Sequence, residues 1–355
     1  MQILGSVVKR RRSAKLVTAI AMLGISACSR GADDAASAAR LPKLPIDPAT
    51  VTVSGISSGG AMAMQFHVAH SNLVQGAGIL AGVPYLCAEE SPLAAISRCM
   101  KAEEDIPASQ LIARTRQLAE EGAIDPVAGL AGDRVWIFHG AADPYVRTPV
   151  VDAIEAQYRA LATPGNVVRI EHPDAGHAFP VADPDAPACG AFEKPYVSNC
   201  GLNGTRALLE HVYGPLAPDT APRPDGLVEF DQFPYANAVD SKALAARGWV
   251  YVPAACNGGT AGACKLHIVL HGCLQGASFV SDEFVRRSGY LPLAEANRIV
   301  LLFPQVEPST MPLNPMGCWD WWGYEGADYA TRNGRQIRAL RAMAADLLGE
   351  ARTAP

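Results

Sequence analysis

Short apolar runs alternate with longer amphipathic stretches along the chain from residue 51 onward. The apolar runs are VTVSG, GAGILAG, DRVWIFHG, NVVRIEHP, GWVYVP, CKLHIVL and IVLLFPQ. The stretches with helical spacing include PASQLIARTRQLAEEG, PVVDAIEAQYRALA and GRQIRALRAMAADLLGE. Strands that alternate with helices predict a mostly parallel sheet, and runs such as IVLLF are typical of strands buried on both sides. The predicted fold class is therefore α/β, with helices on both faces of a mostly parallel central sheet.

The segment before these elements has the pattern of a targeting sequence. A basic stretch is followed by the apolar run LVTAIAMLGI, which is too short to span a bilayer comfortably, and then by ISAC, which ends at Cys28. This pattern predicts a signal peptide of the bacterial lipoprotein type over residues 1–27, with Cys28 lipidated. An ordinary secretory peptide cut nearby is the alternative. Residues 28–50 are rich in Ala, Ser, Pro and Asp and predict a flexible tether, and residues 51–350 predict a single folded domain.

Charge and composition narrow the partners of the mature protein. The whole chain has a net charge of −5, and removal of residues 1–27 takes away five positive charges and no negative ones, which leaves −10. An acidic protein is a poor partner for nucleic acid or anionic lipid. We therefore expect no nucleic-acid partner, and a membrane contact only through lipid at Cys28. The expected location is outside the cytoplasm of a bacterium: secreted, periplasmic or anchored at the outer membrane.

Eight cysteines remain when Cys28 is set aside, and an even number in an exported chain suggests disulfides. They are Cys87, Cys99, Cys189, Cys200, Cys256, Cys264, Cys273 and Cys318. Pairing of sequence neighbours would join Cys87 to Cys99, Cys189 to Cys200 and Cys256 to Cys264, and would leave Cys273 and Cys318. Eight cysteines allow many other connectivities, so spacing favours this arrangement without fixing it. The sequence has no CxxC motif and no His pair near the cysteines, which are patterns that would indicate a metal site. We therefore expect no metal site.

The run GISSGG, residues 55–60, lies between a predicted strand and a predicted helix. A Gly-x-Ser-x-Gly in that context is typical of a nucleophile elbow, in which glycines permit the sharp turn that exposes the serine. Ser57 is the predicted nucleophile. The backbone N–H of Ser58, at the start of the helix, is a predicted oxyanion donor. The alternative is a turn of small residues before a helix.

A serine nucleophile needs a base, and the base needs an orienting acid. Asp143 in HGAADPYV and His177 in DAGHAFP each follow a predicted strand, in the chain order Ser, acid, His of α/β-hydrolases. Asp152, which lies inside a predicted helix, and Asp174, which lies close to His177 in sequence, are less favoured candidates for the acid. His172 is a less favoured candidate for the base. The remaining histidines are predicted to pack, to face solvent or to shape loops: His67, His70, His139, His211, His267 and His271.

The predicted nucleophile comes unusually early in the chain. Ordinary α/β-hydrolases place one oxyanion N–H on a His-Gly loop after a strand that precedes the elbow. Here the matching strand and loop, CKLHIVLHGCLQ at 264–275, come after the acid and base. The strand IVLLFPQ and the last helix would then lead into the elbow strand. The simplest interpretation is a circularly permuted α/β-hydrolase whose two ends lie close together.

The motifs GISSGG, HGAADPYV, DAGHAFP, LHGCLQ, FPQ and CWDWWGY together resemble the circularly permuted extracellular poly(3-hydroxybutyrate) depolymerases, and the resemblance covers nearly all of residues 51–350. It implies Ser57 as nucleophile, Asp143 as acid and His177 as base. It also implies oxyanion N–H groups at Ser58 and Cys273, and no cofactor. In the family the cysteine at the position of Cys273 is disulfide-bonded, and Cys318 is the partner left over here.

The resemblance implies hydrolysis of poly(3-hydroxybutyrate) or its oligomers through an acyl-enzyme. We expect the protein to be a monomer. The run Trp319, Trp321 and Trp322 is interpreted as an apolar wall for the polyester, with core packing as the alternative. Other secreted serine hydrolases, such as feruloyl or acetyl-xylan esterases and oxidised poly(vinyl alcohol) hydrolases, remain alternatives. A non-catalytic polymer-binding surface lipoprotein is the alternative from a different class.

Overall fold

A computed structural model describes residues 40–258 and 263–350 of the chain. Its strands are β1 (Ile46–Ile56), β2 (Gly76–Leu80), β3 (Arg134–Gly140), β4 (Val167–His172), β5 (Phe179–Val181), β6 (Val197–Asn199), β7 (Leu227–Asp231), β8 (Arg247–Tyr251), β9 (Cys264–Leu270) and β10 (Ile299–Phe303). Its α-helices are α1 (Ser58–Ala69), α2 (Pro92–Ser97), α3 (Ala108–Glu120), α4 (Thr148–Leu161), α5 (Gly204–Tyr213), α6 (Phe233–Val239), α7 (Ala277–Val280), α8 (Glu283–Arg287), α9 (Tyr290–Asn297) and α10 (Arg335–Leu348).

Eight of the strands form one sheet in the order β4-β3-β2-β1-β9-β10-β8-β7. The strands from β4 to β10 in this order are parallel, while β8 is antiparallel to β10 and β7 is antiparallel to β8. β5 and β6 form a separate two-stranded parallel sheet. The predicted α/β class with a mostly parallel central sheet is confirmed.

The sheet separates two apolar cores, because successive side chains of a strand point to opposite faces. In β10, Val300 and Leu302 join one core, whereas Ile299, Leu301 and Phe303 join the other. The first core is covered by α1, α3, α4, α6 and α10, and the second by α5 and by α7 to α9. Burial on both faces explains why strands such as β10 are apolar along their whole length.

The order of the strands agrees with a circular permutation. β1, the first strand, lies in the middle of the sheet between β2 and β9, and β9 and β10 come from the last third of the chain. The end of α10 returns to the start of β1, where the Leu44 N–H donates to the Leu347 carbonyl oxygen at 2.9 Å. The two ends of the described chain therefore lie side by side.

The folded part begins earlier than the predicted boundary at residue 51. Leu41 and Leu44 are buried, β1 begins at Ile46, and Ile46 pairs with Cys264. The proline-rich composition suggested a tether, but the leucines pack against the first core through contacts distant in sequence. The predicted tether therefore extended about ten residues too far. The predicted signal peptide over residues 1–27 and Cys28 lie outside the described residues.

Four disulfides join the eight cysteines in the predicted neighbour arrangement: Cys87–Cys99, Cys189–Cys200, Cys256–Cys264 and Cys273–Cys318. Disulfides form and persist in oxidising compartments, so four of them indicate an exported protein. Within the described ranges, none of the helices is long and apolar enough to cross a membrane.

Candidate active site

The Gly-x-Ser-x-Gly motif forms the turn between β1 and α1. Ser57 has a backbone φ of 57° and ψ of −122°, and its N–H donates to the Leu80 carbonyl oxygen at 2.9 Å. A positive φ in a serine costs on the order of 1–3 kcal/mol and is typical of functional turns. A Cβ at Gly55 would lie 2.2 Å from the Gly59 carbonyl oxygen, and one at Gly59 would lie 2.3 Å from the Leu270 carbonyl oxygen. Close backbone approach therefore requires both glycines.

Asp143 and His177 form a buried pair at the same sheet edge as Ser57. Asp143 Oδ2 lies 2.6 Å from His177 Nδ1. Asp143 Oδ1 accepts hydrogen bonds from the N–H groups of Tyr145 and Val146 at 2.8 and 3.0 Å. Both oxygens of the carboxylate are thus fixed in position. With Nδ1 held by Asp143, Nε2 is the ring nitrogen of His177 that no described residue occupies, and it is the nitrogen that a general base of this type uses.

Two loops at adjacent strand ends bring the acid and the base together. β3 ends at Gly140 and pairs in parallel with β4, which ends at His172. A Cβ at Gly140 would lie 2.2 Å from the Ala175 carbonyl oxygen, which accepts a hydrogen bond from the Ala142 N–H at 3.1 Å. The loops that carry Asp143 and His177 are therefore bonded to each other, and only glycine fits at position 140.

The loop after β9 lies beside Ser57. A Cβ at Gly272 would lie 3.3 Å from Ser57 Cβ. His271 Nε2 accepts the Val306 N–H at 3.2 Å, so Nδ1 carries the proton of the neutral ring and donates to the Gly272 carbonyl oxygen at 2.7 Å. Burial lowers the pKa of His271 to about 4, which keeps the ring neutral. His271 therefore shapes this loop, as its position before a glycine suggested.

The same loop orients the Cys273 N–H. In a planar trans peptide the carbonyl oxygen and the following N–H point in opposite directions, so a bond that fixes the Gly272 oxygen also fixes the Cys273 N–H. Within the parts of the chain that the structure describes, neither this N–H nor that of Ser58 has an acceptor. Two unused N–H groups beside a serine at a helix start have the chemistry of an oxyanion hole.

No protein-family model matches the chain. The poly(3-hydroxybutyrate) depolymerase of Delftia acidovorans is 41% identical over 335 residues, which cover 94% of this chain and 65% of that protein. The chain thus spans slightly less than two thirds of that relative's length. The polyhydroxybutyrate depolymerase of Talaromyces funiculosus is 32% identical over 317 residues, which cover 86% of this chain and 91% of that protein. The chain belongs to the poly(3-hydroxybutyrate) depolymerase family.

Solved structures of the depolymerase family have the same fold. The crystal structure of the depolymerase from Penicillium funiculosum matches with a TM-score of 0.81 at 30% identity, and it covers 88% of this chain and 99% of that one. A serine-to-alanine variant of a poly(3-hydroxybutyrate) depolymerase in complex with an R3HB trimer matches with the same TM-score, identity and coverage. The α/β-hydrolase fold and the family resemblance predicted from the motifs are confirmed.

The loop after β9, residues 271–275, carries the proposed oxyanion N–H of Cys273 and is called the oxyanion loop below. In this depolymerase-family chain, it is connected to His177 through side chains that the motifs did not indicate. Gln275 Nε2 donates to the carbonyl oxygens of Pro195 and Tyr196 at 3.1 and 3.2 Å. The ring of Tyr196 lies 4.7 Å from that of Phe192, which lies 6.0 Å from the ring of His177. These contacts link the oxyanion loop to the proposed base through the segment that precedes β6.

Two aromatic side chains lie beside His177 at the surface. The rings of Tyr145 and Phe192 lie 4.8 Å apart, and the Tyr145 ring lies 5.4 Å from that of His177. Both side chains are 40% exposed. The sequence could have indicated Tyr145, because it lies two residues after Asp143. It could not have indicated Phe192, which lies in a cysteine-rich insertion without hydrophobic periodicity. In this depolymerase-family chain, His177 therefore has an exposed aromatic neighbour, Phe192, that the sequence did not indicate.

The tryptophans of the CWDWWGY motif differ in their exposure. Trp319 is fully buried, its ring lies 5.6 Å from that of His271, and its backbone N–H donates to Ser58 Oγ at 3.3 Å. This placement agrees with the core-packing alternative. Trp321 is also buried, while Trp322 is partly exposed and packs edge-on against it at 5.3 Å. The role of Trp321 and Trp322 as a wall for substrate stays a prediction.

Buried acidic residues hold the tryptophan loop in place. Asp320 Oδ1 accepts the N–H groups of Gly323 and Tyr324 at 2.7 and 2.9 Å, and Oδ2 accepts that of Glu325 at 2.9 Å. Burial raises the pKa of Asp320 to about 6, against the opposing effect of these hydrogen bonds. Through the Cys273–Cys318 disulfide, this rigid loop is linked to the oxyanion loop.

Proposed function

We propose that this chain is a serine esterase that hydrolyses poly(3-hydroxybutyrate) or its oligomers through an acyl-enzyme. The observation that carries the proposal is the buried Asp143–His177 pair, 2.6 Å apart, at the sheet edge where the strained Ser57 turn also lies. Membership of the depolymerase family supports the substrate. The chain spans only 65% of the Delftia relative, so the substrate is proposed on the basis of the part that the two chains share.

The proposed reaction uses Ser57 as nucleophile and His177 as general base. His177 Nε2 takes the Ser57 hydroxyl proton while Ser57 Oγ attacks the ester carbonyl, and the N–H groups of Ser58 and Cys273 hold the negative oxygen. His177 then gives the proton to the departing alcohol. The same nitrogen activates a water that releases the hydroxyacid and frees Ser57. Asp143 holds the His177 tautomer and stabilises the imidazolium.

The exposed aromatic surface beside His177 supports a polyester substrate. Tyr145 and Phe192 stand half-exposed next to His177 and offer a flat apolar surface to the methyl and methylene groups of such a chain. The complex of a related depolymerase with an R3HB trimer makes the trimer the natural ligand for a test. We propose that the mature protein is monomeric and that lipid at Cys28 anchors it to a bacterial membrane surface.

Hydrolysis by the purified mature protein tests the proposal, with the Ser57→Ala variant as control. The substrates are amorphous poly(3-hydroxybutyrate), the soluble 3-hydroxybutyrate trimer, methyl ferulate and oxidised poly(vinyl alcohol). Release of 3-hydroxybutyrate by wild type and not by the variant is expected. Ser57-dependent turnover of methyl ferulate or oxidised poly(vinyl alcohol) alone would support the proposed mechanism but contradict the proposed polyester substrate.

A fluorophosphonate probe separates the esterase from a non-catalytic binding protein. An activated serine reacts with the probe, so wild type should become labelled at Ser57, and the Ser57→Ala variant should stay unlabelled. Binding of amorphous polymer without labelling or turnover would instead support a polymer-binding surface protein. Metabolic labelling with a palmitate analogue, compared between wild type and Cys28→Ser, tests the anchor.

A further inference from the structure

A cavity of about 1000 Å³ lies between α6, α10 and the turn that follows α1. Ala49, near the start of β1, lines this cavity, whereas Ser57 follows the end of the same strand. At about 3.3 Å per residue the two positions are roughly 25 Å apart. The α6–α10 cavity is therefore remote from the proposed active site, and nothing in the proposed reaction uses it.

The charged wall of the α6–α10 cavity holds three arginines, of which two are paired. Arg332 Nη1 donates to Asp125 Oδ1 at 3.0 Å, and Arg341 Nη2 donates to Glu350 Oε2 at 2.6 Å. In the described ranges, Arg338 has no carboxylate partner. Among the described residues, the lining charges leave one positive charge uncompensated, in a protein whose net charge is negative.

A neutral buried histidine, His70, also lines the cavity. His70 is nine-tenths buried, and its Nε2 atom has no hydrogen-bond partner among the residues described. Burial, with smaller effects from Arg341 and Arg332, lowers the pKa of His70 to about 3, so the ring is uncharged. Nε2 has no surface open to the cavity, so it takes no part in the binding proposed below.

The remaining wall is apolar except for Asn72 and Gln75. Its apolar side chains include Leu73, Tyr235 and Val239, with Ala342 and Ala345 of α10. Arg338 and Arg341 stand on the same face of α10 as these alanines, at helical spacing. A single uncompensated guanidinium suits a monoanion better than a phosphate with nearly two charges, and the apolar walls suit a hydrocarbon body.

We propose that the α6–α10 cavity binds a carboxylate that carries an aliphatic chain. The carboxylate pairs with the Arg338 guanidinium, and the chain lies against Leu73, Val239 and Ala342. A fatty acid and a hydroxyacid oligomer share this chemistry, and the experiment distinguishes them. The inference does not depend on the proposed esterase function, because it concerns binding at a different end of the molecule.

Isothermal titration of the mature Ser57→Ala protein, in which turnover is excluded, tests the proposal. Octanoate, octanol, inorganic phosphate and the 3-hydroxybutyrate trimer are titrated in turn. We expect octanoate or the trimer to bind, and octanol and phosphate to bind at least tenfold more weakly. Because the Ser57→Ala protein can also hold the trimer at its proposed active site, the carboxylate whose binding depends on the cavity residues identifies the class of ligand. Binding of neither carboxylate at millimolar concentration, or equal binding of octanol or of phosphate, would overturn the proposal.

Variants of α10 locate the binding. Adding Arg338→Gln to the Ser57→Ala protein should weaken carboxylate binding about tenfold or more, since a charged hydrogen bond is lost. Arg335→Gln is the matched control, because Arg335 begins the same helix without lining the cavity. Ala342→Trp, which fills the cavity, should abolish binding, and thermal unfolding checks that each variant is folded. Equal loss in the Arg335 control, or binding unaffected by both cavity variants, would show that the carboxylate binds elsewhere.

Discussion

His271 Nδ1 lies 2.7 Å from the Gly272 carbonyl oxygen, and this contact sets the direction of the next peptide N–H. That N–H belongs to Cys273 and is one of the two proposed oxyanion donors. The bond depends on a neutral ring with its proton on Nδ1, which the Val306 N–H enforces by occupying Nε2 at 3.2 Å. A buried histidine thus fixes the geometry of a neighbouring backbone group without touching substrate.

Removing the His271 donor should therefore lower turnover. The variant His271→Phe keeps a ring but frees the Gly272 carbonyl, so kcat should fall about tenfold to a hundredfold, somewhat less than the loss of a whole oxyanion donor. His271→Asn, whose side-chain amide can still donate, should retain more activity. KM for the 3-hydroxybutyrate trimer should change little in both. Full activity in His271→Phe, measured with folded protein, would contradict this role.

The elbow glycines allow a matched test of close backbone approach. A Cβ at Gly59 would lie 2.3 Å from the Leu270 carbonyl oxygen, so Gly59→Ala must push α1 away from β9. We expect destabilisation by several kcal/mol, or failure to fold, in urea unfolding. At Gly132 an added Cβ would meet nothing within 4 Å. Gly132→Ala should therefore stay within about 1 kcal/mol of wild type. Similar stability of the two variants would contradict the described elbow.

Motifs with a fixed place in the chain were the features that could be predicted from sequence. Ser57, Asp143 and His177 each follow an apolar strand, and parallel strands carry their following loops to one edge. Features that depend on packing between distant segments were missed. Leu44 is buried because α10 returns to it, and Phe192 lies beside His177 because an irregular insertion folds back onto this loop. Neither position shows a periodic pattern that would have indicated its contact.

The Cys273–Cys318 disulfide should support both stability and activity. It closes a 45-residue separation, so the chain-entropy estimate of its contribution is about 4 kcal/mol, against about 2.5 kcal/mol for the 8-residue separation of Cys256–Cys264. Replacing Cys273 and Cys318 by Ser should lower the melting temperature more than replacing Cys256 and Cys264. It should also reduce kcat, because the oxyanion loop loses its link to the tryptophan loop. The Cys256 and Cys264 double variant should lose stability alone. Equal kcat losses in the two double variants would argue against a specific link.

Buried His267 should make the protein sensitive to acid. Its Nδ1 and Nε2 atoms each lie 2.7 Å from a hydroxyl, of Thr52 and of Ser54, and burial lowers its pKa to about 3. A histidine with a lowered pKa stabilises the fold above the unfolded pKa of 6.5, and this stability is lost as the pH falls towards 3.

As the pH falls below 6.5, His267 should lower the free energy of unfolding by about 1.4 kcal/mol per pH unit, or by about 2 kcal/mol between pH 6.5 and pH 5. His267→Gln should remove this part of the difference between the free energies of unfolding at pH 7 and pH 5. A loss of packing alone would lower both free energies equally and leave the difference unchanged. Urea unfolding at the two pH values distinguishes these outcomes.

The aromatic pair beside His177 should select for substrates with a long acyl chain. Phe192 is 40% exposed and contacts both Tyr145 and Tyr196, so Phe192→Ala removes apolar surface from the cleft without opening the buried core. We expect KM for the 3-hydroxybutyrate trimer to rise about tenfold, as expected when a partly exposed aromatic contact is lost. Turnover of p-nitrophenyl acetate, which is too small to reach past His177, should stay close to wild type.

Phe233→Ala is the control for this prediction, since Phe233 is 54% exposed on α6, at the α6–α10 cavity side of the fold. It should change the kinetics of neither substrate. A loss on both substrates in Phe192→Ala would mean that the ring positions His177, whose ring lies 6.0 Å away, and does not bind the polyester. A loss confined to the trimer separates the two roles, because a misplaced base would slow the hydrolysis of every ester.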